Sequence, residues 1–166
     1  MIVRIAQHIK PSMTYSFESL SSLAQELFFH DTTLSRQERI QNLQSQPETQ
    51  YLLGQKLEEA GQLKEAETWY EKAALQDHVD SQFALGAVFY IQHDFEKTFF
   101  CFQKAAQQEH TKAQKNLGSL YYNGLGIARD LEKALYWLNA AATQGDLQAK
   151  EHITAIRAER EQEDDL

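Results

Sequence analysis

An internal disulfide is out of reach for this chain, because Cys101 is the only cysteine among its 166 residues. Folding therefore does not depend on an oxidising compartment. Basic residues are in deficit: 16 Lys and Arg stand against 24 Asp and Glu, giving a formal net charge of −8. That balance argues against nucleic acid as the main partner, since phosphate binding needs clustered Lys and Arg. It suits a basic protein partner, whose encounter it would accelerate. No stretch approaches the ~20 apolar residues of a membrane span. The segment 1–10 lacks the basic start, long apolar run and small-residue cleavage site of a signal peptide, so the expected location is the cytoplasm. A catalytic constellation is missing as well. His8, His30, His78, His93, His110 and His152 are scattered without metal-ligand spacing. Asp77 and Glu109 read as solvated turn acids, and Gly124-x-Gly126 follows no strand that would make it a nucleotide loop. The expectation is a protein that is not an enzyme, with no cofactor and no metal.

What the chain has instead is a period. Leu53-Gly54 returns as Leu85-Gly86 and as Leu117-Gly118, each 32 residues after the last. Ala73-Ala74 returns as Ala105-Ala106 after 32 residues and as Ala141-Ala142 after 36, the extra four falling between Tyr122 and Asp130. A fixed period in this range marks a stacked-repeat architecture, which presents surfaces for binding more than pockets for chemistry. Each repeat reads as two amphipathic helices, A and B. Tyr51, Leu52, Leu53 and Leu57 set the first A stripe, and Leu63, Ala66, Trp69, Tyr70, Ala73 and Ala74 the first B stripe, with a turn over Glu59–Gln62. Pro47 suits the first turn of that A helix, where its missing N–H costs nothing. Gly54, Gly86 and Gly118 recur because the B helix of the same repeat approaches the A-helix backbone there. Such a glycine costs ~1 kcal/mol of helix propensity against alanine, which closer packing must offset. Trp69 and Trp137 fill the space between adjacent repeats, and Cys101 takes that slot in the second as a buried small hydrophobe.

The repeats span 47–78, 79–110 and 111–146. A helix over 147–160 continues the A pattern through Ala149, Ile153 and Ile156 and serves as a C-terminal cap, and residues 157–166 form an acidic tail expected to be disordered. Residues 1–46 do not follow the period. Phe17, Leu20, Leu23, Ala24, Leu27 and Phe28 share one face of a helix that Ser16 caps, and Ser35 with Glu38 forms a capping box for a second helix carrying Ile40 and Leu43. Together they are expected to make an N-terminal helical cap; the alternative is a separate partner-binding element.

The stretch from Ala113 through Leu117-Gly118-x-Leu120-Tyr121-Tyr122-x-Gly124-x-Gly126-Ile127, Asp130, Lys133-Ala134, Trp137 and Ala141-Ala142 to Gly145 resembles the Sel-one-like repeat, a relative of the tetratricopeptide repeat. The first two repeats have the tighter turn of the tetratricopeptide form. The departures are Cys101 for the family's Trp, Thr98 for Ala, and Asp77 and Glu109 where the third repeat has Gly145. The resemblance implies an all-α, right-handed superhelix whose A helices line a concave groove, and a non-enzymatic adaptor, scaffold or assembly factor, many such proteins being bacterial. By alignment to the repeat, the groove residues are Tyr51, Gln55, Glu58, Phe83, Tyr90, Lys112, Lys115, Ser119, Tyr122, Asn123 and Glu151. Phe83 and Tyr90 either line the groove or complete the core between hairpins. The mixture suits a protein or peptide partner. Two other readings stand beside it: an immunity- or antitoxin-like inhibitor of a basic partner, and a secreted bacterial effector that engages a host protein. Self-association is compatible with all three.

Overall fold

The computed structural model describes residues 35–164, and among them there are eight helices and no strand: α1 (Arg36–Ser45), α2 (Pro47–Glu59), α3 (Leu63–Ala74), α4 (Val79–Ile91), α5 (Phe95–Gln107), α6 (Thr111–Asn123), α7 (Leu131–Thr143) and α8 (Leu147–Asp164). The chain is an all-α helical-repeat protein. α2, α4 and α6 are the A helices, α3, α5 and α7 the B helices, and α8 continues the A series. The first expected helix, with Ser16 and Phe17 through Phe28, lies outside the described residues. Those that are described fall into two compact units, divided in sequence between Trp69 and Tyr70, inside α3.

In the first unit the Ser35 capping box forms as its spacing predicts. The Ser35 hydroxyl accepts from the Glu38 N–H at 3.3 Å, and the Glu38 carboxylate accepts from the Ser35 N–H at 2.7 Å. Hydrogen bonding from the Ser35 side chain and then its N–H holds the Glu38 carboxyl below its ordinary pKa. Pro47 opens α2 at its first turn, and Gln50 folds back to donate to the Gln44 carbonyl at 2.9 Å. Leu53, Gly54 and Leu57 are buried along α2.

In the second unit each helix packs on the next along the chain, and the residues with the repeat's period make one continuous core. Phe99, Phe102 and Ala105 of α5, Leu117, Leu120 and Tyr121 of α6, Ala134, Leu138 and Ala141 of α7, and Ala149, Ile153 and Ile156 of α8 are all buried in it. Gly86 and Gly118 sit where A and B helices cross. A Cβ on Gly86 would lie 2.6 Å from the Phe102 ring and 3.1 Å from Cys101 Cβ. One on Gly118 would lie 2.7 Å from Leu138 Cγ and 3.0 Å from the Ala134 carbonyl oxygen. Thr98, standing where the other repeats have Ala66 and Ala134, is fully buried, and its hydroxyl is satisfied by the Asp94 carbonyl four residues back at 2.8 Å. Cys101 is half-buried, and Trp137 packs partly exposed against the core.

Glutamines form a second, polar repeat. Gln82 and Gln114 occupy the same buried position on α4 and α6. Gln108, which closes α5, donates to the Gln82 side-chain oxygen at 2.8 Å. Gln144, which closes α7, donates to that of Gln114 at 2.8 Å, while Gln114 donates in turn to the Ala106 carbonyl of the preceding repeat at 3.3 Å. A buried polar atom left unpaired costs about 1–3 kcal/mol, as at Gln82 Nε2, which has no partner among the described residues, so it is the fully paired Gln114 that fixes most firmly how its helices meet.

The helix starts are capped by side chains at recurrent positions. Asp94 and Asp130 accept from the Lys97 and Lys133 amides at 3.2 and 3.0 Å. His78, His110 and Asp146 open the A series, accepting at 3.2, 3.1 and 2.9 Å from the amides of Ser81, Ala113 and Ala149. The turns are less comfortable. Asp77 and Glu109 sit at φ 60° and 63°, the left-handed region that Gly145 takes up at 95° in the third repeat. His93 does the same at 62°, where the first repeat has Gly61 at 75°. Left-handed backbone costs an L side chain about 1–2 kcal/mol.

α8 carries one correction to the sequence reading. It runs on to Asp164, through acidic residues expected to be disordered from position 157. Ile156 anchors it in the core, Arg160 pairs with Glu132 of α7 at 3.1 Å, and Glu159 accepts from the Tyr122 hydroxyl of α6 at 2.6 Å. Where α6 turns Gln114, Gly118 and Tyr121 inward, α8 has Lys150, Thr154 and Arg157, all exposed. That polar face is what an end helix requires.

Two substitutions separate packing from backbone strain. Gly118→Ala gains helix propensity yet should lose about 2 kcal/mol by overpacking, read as a lower urea midpoint at unchanged slope. Glu109→Gly should raise stability by about 1 kcal/mol by relieving the left-handed strain. Equal midpoints for wild type and Gly118→Ala would refute the close-approach account.

Candidate functional site

An A helix spends its inward side on its own B helix and on its neighbours, which leaves one stripe for solvent or a partner. Positions three, four and three residues apart share that stripe on a 3.6-residue helix. On α4 they are Asp80, Phe83, Ala87 and Tyr90; on α6, Lys112, Lys115, Ser119 and Tyr122; on α8, Gln148, Glu151, Ala155 and Ala158. None of these twelve is buried. The middle of each stripe is small: Ala87, Ser119 and Ala155. One end is polar and charged, with Asp80, Lys112 and Gln148. The other is aromatic on two helices, at Tyr90 and Tyr122.

All the residues named from sequence on these helices except Asn123, which lies one position beyond Tyr122, fall on this stripe, with different occupations. Phe83 is half-buried, its ring 5.5 Å from Phe102 and 4.6 Å from His110. It packs against the core as well as edging the stripe. Tyr90 is 48% exposed and meets Phe95 edge-on at 5.6 Å. Lys115 reaches across to α8, with Nζ 2.5 Å from the Gln148 side-chain oxygen and 3.9 Å from the Asp146 carboxylate. The Tyr122 hydroxyl donates to Glu159, and the Arg129 guanidinium lies 5.5 Å over its ring. Ser119 and Asn123 bond back to helix carbonyls, at Lys115 and Ser119 respectively. Lys112 and Glu151 are exposed. In the first unit Tyr51, Gln55 and Glu58 hold the corresponding positions on α2, and Gln55 donates to the Tyr51 hydroxyl at 2.9 Å. Lys115 and Tyr122 therefore also fasten α6 to α8, a duty that sequence alone did not reveal.

The period could have named the rest of the stripe. Asp80, Ala87, Gln148 and Ala155 lie one repeat from Lys112, Ser119, Lys112 and Ser119, and that spacing is the signal that finds them. The small residues matter because they leave the middle of the face open.

For chemistry the face offers little. Among the described residues no three His, Cys, Asp or Glu side chains gather where they could hold a metal ion, and no helix is long and apolar enough to cross a membrane. His78 and His110 are helix caps, and His93 is a turn residue. Burial pushes the Cys101 thiol up to about 11, more than the nearby Lys104 offsets, so little thiolate exists at neutral pH.

Gly124-x-Gly126 sits in the turn before α7. Gly124 closes α6 at φ 68°, and Gly126, at 72°, lies against the first turn of α5, where a Cβ would come 2.0 Å from the Phe95 carbonyl oxygen. The four-residue insertion thus packs against the repeat before it. This glycine pair, the Leu-Gly crossings and the paired alanines agree with the repeat profile that matches residues 47–78, 79–110 and 111–146, the Sel1 repeat. The chain belongs to the Sel1 repeat family. The Sel1 repeat protein from Oxalobacter formigenes superposes with a TM-score of 0.62 at 26% identity, over 68% of this chain and 35% of the other. A second crystal structure is that of c5321, a protective antigen present in uropathogenic Escherichia coli strains and displaying an SLR fold. It superposes with a TM-score of 0.64 at 27% identity, over 81% of this chain and 31% of its own. The chain thus spans about a third of each of these larger proteins. No curated protein matches it. Sel1 repeat proteins are generally non-enzymatic scaffolds for protein–protein interaction.

The thiol supplies a direct check. Iodoacetamide should alkylate Cys101 at pH 8 roughly a hundredfold more slowly than it does glutathione, with the rate still rising at pH 10. A rate equal to that of glutathione would mean that the thiol is neither shielded nor raised.

Proposed function

We propose that this Sel1 repeat protein is an adaptor or scaffold that binds a peptide or protein segment in a groove formed by the A-helix stripes. The observation that carries the reading is the row of small residues, Ala87, Ser119 and Ala155, at equivalent positions on α4, α6 and α8. Larger side chains at both ends of the α4 and α6 stripes leave the middle as the place where a chain can lie close to the helices. An aromatic end with Tyr90 and Tyr122 and a charged end with Asp80 and Lys112 give a bound segment polarity and register. The cytoplasm remains the proposed location.

A second reading, an inhibitor that covers a basic partner, draws on the net charge of −8. It differs in its salt dependence: affinity for a basic partner should fall steeply between 50 and 500 mM salt, roughly tenfold or more if several exposed ion pairs form.

The test introduces bulky side chains that block the stripe without removing the contacts that hold α8. Ser119→Arg with Ala155→Arg should weaken capture of the partner from native lysate at least tenfold while leaving the helical circular dichroism spectrum unchanged. Phe100→Ser with Tyr136→Ser, on exposed positions of the B helices, should leave capture intact. The reverse pattern would move binding to the B-helix side and overturn the groove assignment.

A further inference from the structure

We propose that His110 is a pH-sensitive latch between the second and third repeats, closed while its imidazole is neutral and released when the ring takes up a proton. Three contacts meet at this side chain. Nδ1 accepts the Ala113 N–H at 3.1 Å and so caps α6. Nε2 lies 3.4 Å from the Asp80 carboxylate on α4. The ring face stacks on Phe83, also on α4, at 4.6 Å between centroids. One imidazole therefore ties the start of an A helix to the side of the preceding one.

The cap works in only one form of the ring. To accept from a backbone N–H, Nδ1 must carry a lone pair, which places the single proton of the neutral ring on Nε2, facing Asp80. A second proton goes to Nδ1, removes the acceptor and sets a positive charge at the positive end of the α6 dipole. The next junction shows what the position needs. There Asp146 makes the same cap, to Ala149 at 2.9 Å, with a group that does not titrate near neutrality.

The charged groups around His110 are Asp80 from α4, which favours the protonated ring, and Lys112 from α6, which opposes it. Burial against the repeat junction outweighs the attraction of Asp80 and holds the ring below the ordinary histidine pKa. The closed junction thus binds the proton more weakly than the open one. Its stabilisation is complete above the unfolded value of about 6.5 and is lost as pH falls through the folded value. Since α4 and α6 carry two of the stripes, acidification loosens the face that they form together.

Amide hydrogen exchange on the full chain, followed by NMR at pH 7.5 and pH 5.5 and corrected for intrinsic rates, reads the latch at Ala113. Protection there should fall roughly fivefold at the lower pH, the size of one lost N-cap, and His110→Asp should show no such fall. No change in the wild type, or an equal fall in both proteins, overturns the proposal. If His110→Asp does not fold, the wild-type ring decides: the Nδ1 nitrogen shift at pH 7.5 must be that of an unprotonated, accepting nitrogen, and a protonated Nδ1 overturns the proposal.

Discussion

Where an A helix crosses its B helix, the two backbones approach until a single methyl group no longer fits between them. At Gly118 the obstacle includes the Ala134 carbonyl oxygen, 3.0 Å from where a Cβ would stand, and a backbone oxygen cannot swing aside as a side chain can. The approach brings Leu138 over the α6 backbone, and lets Leu117, Leu120 and Tyr121 join a core that runs through α8. The glutamine pairs depend on it too, since Gln144 reaches Gln114 only when the hairpin closes to this distance. Apolar packing supplies the driving force, and the crossing glycines set the spacing at which it operates.

Much of this was legible because the period repeats the physical reason along with the residue. Leu-Gly at equivalent positions announces a close crossing, which Gly86 makes against Phe102 and Gly118 against Leu138 and Ala134, while the recurrent Ala105 and Ala141 are fully buried in the core without facing those glycines. The Ser35 and Glu38 spacing gave a cap that formed as read. The departures from the repeat were harder. Asp77, His93 and Glu109 look like ordinary polar turn residues, and although the period aligns them with Gly145 or Gly61, it is the backbone that shows each in a left-handed conformation better suited to glycine. His78 and His110 were recognisable as turn residues, but their capping role depends on one ring nitrogen pointing at one amide.

The candidate face was the least legible part. Sequence reasoning placed Lys115 and Tyr122 on one stripe of α6 but could not see that α8 lies within their reach, because that contact joins residues more than thirty positions apart. The same blindness left the acidic end of α8 as tail, when Glu159 and Arg160 are partners for Tyr122 and Glu132. Charge runs read as solvated when their partners are distant in sequence. Small residues read as neutral when their value lies in what they leave open.

The contact of Gly126 with the start of α5 bears on how such arrays evolve. A repeat that packed only through its helices could be duplicated, deleted or moved along the array with little penalty. The third repeat carries a loop shaped against the first turn of its predecessor's B helix, with the Phe95 carbonyl filling the space a side chain would need. It therefore presupposes a neighbour on its N-terminal side. Order within this chain is written into the loops as well as into the helix faces, and its repeats are not interchangeable modules.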